Sequence, residues 1–85
     1  MNRDEICSRI LTIFSEKFEM NPAMDDDLRE EHEFDSIDAI ELLREIEIML
    51  QSTLTQDEKK SAMDIRTVND IVDYVLRMAA VRTAN

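Results

Sequence analysis

An 85-residue chain with 20 acids against 10 lysines and arginines, net charge −10, has room for one domain, residues 1–85, and no second. Such a field repels nucleic acid and favours partners with basic patches. The single cysteine, Cys7, excludes an internal disulfide and points to a reducing compartment, and no apolar run approaches the ~18 residues that span a bilayer.

The opening residues, Met1 to Glu5, have no signal-peptide layout, so a soluble, cytoplasmic monomer is the expectation. Glycine is absent and Pro22 is the only proline. Without glycine for tight hairpins, and without long β-branched alternation, an all-α fold is predicted, a small four-helix bundle with a short third helix.

The first helix is predicted over about Arg3 to Phe18, with Ile6, Ile10, Ile13, Phe14 and Phe18 as one buried stripe and Asn2 with Glu5 as its capping box. Cys7 falls among these apolar residues and reads as a buried side chain. Glu19 to Asp35 then forms a loop long enough to be functional or to hold a short turn. Its Asp25-Asp26-Asp27 triplet lacks the glycine and alternating ligands of a calcium loop, and His32, with no second His or Cys at ligand spacing, reads as a solvated loop histidine.

The second helix is predicted from about Ser36 to Gln51, with Ile40, Leu43, Ile46 and Leu50 on its buried face, widened by Leu42 and Met49. Asp38, Glu41, Glu45 and Glu47 occupy the remaining arc. Residues 25–47 hold eleven acids against Arg29 and Arg44, a local charge of −9, so most of the excess charge is concentrated here. Thr55-Gln56-Asp57-Glu58 is a capping box that starts a short helix ending near Met63. Thr67-Val68-Asn69-Asp70 caps the last helix, with Val68, Ile71, Val72, Val75 and Ala79 facing inward.

A self-contained enzyme is hard to build from these parts. Ser36 has no neighbouring base, the one histidine lies in an acidic loop, and nothing marks an apolar cleft that would raise a carboxyl pKa. As an acceptor of a group delivered by another protein, Ser36 is better placed. With Asp35 as N-cap, Ser36 is the first helical residue, and a phosphate there meets unpaired N–H groups and the positive end of the helix dipole. Residues alone leave a second reading open, in which Asp35 and Ser36 only cap a helix.

Phe34-Asp35-Ser36-Ile37-Asp38-Ala39-Ile40-Glu41-Leu42 resembles the D-S-L attachment motif and following helix of acyl carrier proteins. Thr67-Val68-Asn69-Asp70-Ile71-Val72-Asp73-Tyr74-Val75 is similar to that family's last helix, and the likeness covers nearly the whole chain. The resemblance implies a carrier with no turnover of its own, holding acyl groups as thioesters on a 4′-phosphopantetheine arm at Ser36, placed there by a phosphopantetheinyl transferase. It further implies acyl-loading and synthase enzymes with basic patches as partners. Asp35, Ile37, Asp38, Ile40, Glu41, Arg44, Glu45 and Glu47 would form the partner-recognition face, and Ile46, Ile65 and Val68 would shelter the acyl chain.

At four positions the chain departs from the family pattern. Glu33 replaces a frequent glycine, His32 replaces an apolar anchor, Arg44 stands where fatty-acid carriers show an apolar residue, and Ile71 is bulkier than the usual alanine. The loop is therefore expected to pack through Phe34 or Leu28, and a specialised, polyketide-like pathway is as compatible as fatty-acid synthesis. A peptidyl or aminoacyl carrier, and an unmodified acidic adaptor, stay open beside it.

Overall fold

The computed structural model describes residues 1–83. Among them the chain forms α1 (Arg3–Lys17), α2 (Leu28–His32), α3 (Ser36–Leu50), α4 (Gln56–Ser61) and α5 (Val68–Thr83), with a 3-10 turn, Ala62–Asp64, behind α4. No described residue lies in a strand. The all-α expectation holds, and the four expected helices become five because the acidic loop contains α2.

That extra helix is too short to stand alone, since an isolated turn does not repay its nucleation cost. Polar closure and docking hold it. Asp27 Oδ1 accepts from the N–H groups of Arg29 and Glu30 at 3.0 Å each, and Glu31 Oε2 accepts from the Asp27 N–H at 2.6 Å. Leu28 is buried, and its N–H donates to the Arg66 carbonyl at 2.8 Å, fastening the loop to the connection before α5. The expectation that this loop packs through Phe34 or Leu28 is met by both.

The core lies between α1 and α5, the most extensive helix pair. Ile6, Ile10 and Phe14 meet Val68, Ile71, Val72, Tyr74, Val75 and Met78. Ile13 and Phe18, expected in the α1 stripe, are only half-buried, as is Cys7, whose Sγ lies 3.6 Å from Met24 Sδ. On α5 the expected Ala79 is likewise half-buried, and Tyr74 and Met78 fill the space instead.

Helix α3 enters the core through Leu42, Ile46 and Met49. This stripe has the expected helical period but is turned around the axis. Ile40 is 60% exposed, and Leu43 and Leu50 are half-buried. The rotation follows from anchoring at the helix start, where Phe34 packs in a three-ring cluster with Phe14 and Phe18 at centroid separations of 5.4 to 5.6 Å.

With no glycine available, two helices end on larger residues in the left-handed region. Glu33 caps α2 at φ 55° and Gln51 caps α3 at φ 53°, each a conformation glycine adopts without steric cost. At Glu33, where the family resemblance implies glycine, the left-handed turn is kept by a residue with a side chain.

Helix α4 buries no residue and is held by polar contacts. Its capping box is complete: Glu58 N–H donates to Thr55 Oγ1 at 3.1 Å and Thr55 N–H donates to Glu58 Oε1 at 2.9 Å. Arg82 on α5 clasps the same carboxylate with two nitrogens at 2.8 and 2.9 Å, and also donates to the carbonyls of Thr53 and Met78. The Tyr74 hydroxyl donates to the Glu58 carbonyl at 2.7 Å. Hydrogen bonds from Arg82 and from the Thr55 N–H hold the Glu58 carboxyl at a pKa of about 2.

Candidate functional site

Ser36 is the first residue of α3, and the local sequence dictates its presentation. Asp35 Oδ1 accepts from the N–H groups of Ile37 and Asp38 at 3.0 and 2.9 Å, while Asp38 Oδ2 accepts from the Asp35 N–H at 3.1 Å. This reciprocal box fixes the helix start, and the burial of Phe34 one residue earlier fixes where that start points. Ser36 is exposed, and its hydroxyl makes no hydrogen bond among the described residues.

Beside Ser36 opens a half-open cavity of about 230 Å³ between α3 and the α4 region. Its walls are chiefly apolar: Phe34, Ala39, Leu42, Leu43, Ala62 and Ile65. Arg29 and Lys59 are its charged members. A second cavity of about 180 Å³ shares Ile40, Leu43 and Lys59 with the first and adds Arg44 and Glu47.

The residues singled out in the sequence separate on this frame. Ile37 is 73% exposed, and Ile40, Glu41 and Arg44 continue an open strip along α3. Asp35 and Asp38 belong to the cap as well as to the surface. Glu45 and Glu47 are half-buried and engaged within the protein: Glu45 lies 3.6 Å from Lys17 Nζ, and Glu47 Oε2 accepts from the Leu54 N–H at 2.7 Å. Their position on the helix is as expected, but these contacts divide their charge between surface and scaffold. Of the three proposed acyl-sheltering residues, Ile65 lines the cavity; Ile46 and Val68 are fully buried in the core behind it.

The loop acids are also committed. Asp26 Oδ2 lies 2.9 Å from His32 Nε2 and accepts from the Ala23 N–H at 2.9 Å, so His32 is a paired, half-buried side chain and not the solvated one expected. Those contacts, His32 first, hold the Asp26 carboxyl below the usual carboxylate range. The helix N–H groups, that of Glu30 foremost, do the same for Asp27, and Asp25 accepts from Asn69 Nδ2 at 2.6 Å. Neither His32 nor Cys7 lines the Ser36 cavity.

Phe34, Ala39, Ala62, Lys59 and Arg29 were not foreseen as neighbours of the site. Phe34 and Ala39 were within reach of sequence reasoning, because they flank Ser36 at two and three positions and line the same cavity. Nothing local in the sequence brings α4 opposite α3.

An exposed alcohol at a capped helix start, with no base hydrogen-bonded to it and an apolar hollow alongside, has the chemistry of a group acceptor. The phosphopantetheine attachment site family matches residues 8–75. Acyl carrier protein 2 of Ralstonia nicotianae (strain ATCC BAA-1114 / GMI1000) is 36% identical over 83 residues, which cover 94% of this chain and 99% of that relative. No solved structure matches the chain. The chain belongs to the acyl carrier protein family, whose prosthetic group is 4′-phosphopantetheine. Its role is therefore that of a carrier and not a catalyst, one that meets a transferase and acyl-handling enzymes in turn. Among the described residues no helix is long and apolar enough to cross a membrane.

The site fits the group. Ser36 offers an unencumbered hydroxyl and the cavity beside it has the apolar walls an acyl chain would need, but the N–H groups of Ile37 and Asp38, expected to be unpaired, are taken by Asp35 Oδ1. When bound, the arm supplies the thiol that holds acyl groups as thioesters. The chain's own residues present the hydroxyl, cap the helix beneath it and line the hollow beside it with apolar side chains.

Proposed function

We propose that Ser36 is the attachment point and that the chain serves as a discrete acyl carrier for a specialised biosynthetic pathway. The observation that carries this is the hydroxyl itself: exposed, free of hydrogen bonds and set on a capped helix start above an apolar cavity. Supporting the specialised role is Arg44, a solvent-exposed cation on the strip of α3 that also carries Ile37, Ile40 and Glu41.

That strip suits brief encounters. Two exposed isoleucines offer a small apolar centre, and the acids around them steer a basic partner without requiring a large dry interface. A carrier released after every step is served by contacts of this kind.

Incubation with coenzyme A and a broad-specificity phosphopantetheinyl transferase tests the proposal. Wild-type protein gains one phosphopantetheinyl mass, and Ser36→Ala gains none. Addition to the alanine variant moves the attachment elsewhere and overturns the assignment. An aminoacyl carrier is told apart by whether an adenylating enzyme loads the thiol, and an unmodified adaptor by the absence of any addition.

A further inference from the structure

The two cavities along α3 differ in character, and they adjoin. The one beside Ser36 is walled chiefly by apolar side chains, with Arg29 and Lys59 at its charged margin; the next shares Ile40, Leu43 and Lys59 with it and adds Arg44 and Glu47. A chain lying along this path passes from apolar surroundings to charged ones.

The cations on this path are unsatisfied. Acids outnumber lysines and arginines by 20 to 10 in this chain, yet neither Arg44 nor Lys59 lies within 4.0 Å of a carboxylate among the described residues. The one acid lining the second cavity, Glu47, already accepts from the Leu54 N–H through Oε2. Two cations facing one partly committed carboxylate leave that cavity with a surplus of positive charge inside a strongly negative protein.

We propose that this carrier shelters acyl chains that bear an oxygen acceptor, a carboxylate or a ketone, several carbons from the thioester, with Arg44 and Lys59 receiving that oxygen. The inference rests on attachment at Ser36. A plain alkyl terminus reaching the second cavity would strip water from two cations and return nothing, whereas an oxygen terminus forms charge-assisted hydrogen bonds with them. Sites with polar groups awaiting a partner reject the analogue that lacks it more strongly than apolar walls reject an extra group. Arg44 and Lys59 are thus the specificity-determining residues, and the apolar first cavity holds the stem.

The test loads wild-type protein from octanoyl-, 7-oxooctanoyl- and suberoyl-coenzyme A, equal in carbon number, with intact mass confirming each product. Thioester half-life in mild base and amide shifts at Ile40, Arg44 and Lys59 are then compared. The expected result is a half-life several-fold longer for the suberoyl or 7-oxooctanoyl form than for the octanoyl form, with the largest shifts at Arg44 and Lys59. Benefit for both oxygenated chains assigns a general acceptor site; benefit for suberoyl alone assigns an anion site, and its advantage then shrinks as salt screens the charges. Arg44→Leu with Lys59→Gln should erase the advantage, and the salt series on wild-type protein gives a second test that needs no variant. Equal or better protection of the octanoyl chain overturns the inference and leaves attachment at Ser36 standing. If no mass is added at all, the attachment reading fails and this one falls with it.

Discussion

Helices α1 and α5 on one side of the molecule, and α2 and α4 on the other, are held by different physics. The long pair interlocks through fully buried Ile6, Ile10, Phe14, Ile71, Val72 and Val75. The short pair contributes a single buried residue, Leu28, and is fastened by caps, an Arg–carboxylate clasp and backbone contacts between loops. Apolar packing in one half fixes the fold at high density. Polar fastening in the other half leaves room beside α3, which is where the cavities open. The division places the apolar core behind Ser36 and the polar-fastened α4 region across the cavity from α3.

The largest break in this comparison is expected in the packed half. Phe14 is fully buried and touches both other phenylalanines, so Phe14→Ala should cost about 3–5 kcal/mol, read as a fall in the denaturation midpoint. It should also loosen the start of α3, because Phe34 loses a ring contact one step before the Asp35 cap. A loss below about 1 kcal/mol would mean that the ring cluster does not anchor the site.

A smaller loss is expected in the fastened half. Arg82→Met removes the clasp on Glu58 and should cost about 1.5 kcal/mol, the low end for a charged hydrogen bond because the pair keeps some contact with solvent. Its pH dependence has a defined sign. The Glu58 pKa is held near 2 in the folded protein and lies at 4.5 ordinarily, so its stabilisation is fully present above about pH 4.5 and is lost as pH falls toward 2. Acid titration of wild-type protein should show that loss, and the Arg82→Met titration should show less of it. Identical acid profiles would remove Glu58 from the account.

The smallest effect runs the other way. Glu33→Gly relieves a left-handed non-glycine residue and should raise stability by at most about 1 kcal/mol, since the added chain entropy of glycine offsets part of the gain. A fall in the melting temperature would show that the Glu33 side chain matters to the turn.

The capped helix start that presents Ser36 was legible because it depends on neighbours in the chain, whereas the proposed acceptor role came from the family resemblance. Asp35 and Asp38 close the cap within four residues, and the apolar period of α3 needs no distant partner. The phase of that period was harder to read: Leu42, Ile46 and Met49 face the core instead of Ile40, and only the docking of Phe34 against α1 decides the angle. Helix α2 carried a cap at Asp27 with Glu30 three residues on, but five residues give no periodicity to detect. The Glu58–Arg82–Tyr74 contacts join residues 16 and 24 positions apart across different helices, and no local pattern announces them. The same holds for the cavity, whose α4 wall is brought opposite α3 by those contacts.

The most direct test of the central claim is peptide-level mass analysis of the protein isolated from its own cells. The account predicts one phosphopantetheinyl group, localised to the peptide spanning Phe34 to Leu42 and borne by Ser36. The same group found on any other serine, or a uniformly unmodified Ser36 in cells that hold an active transferase, would contradict it.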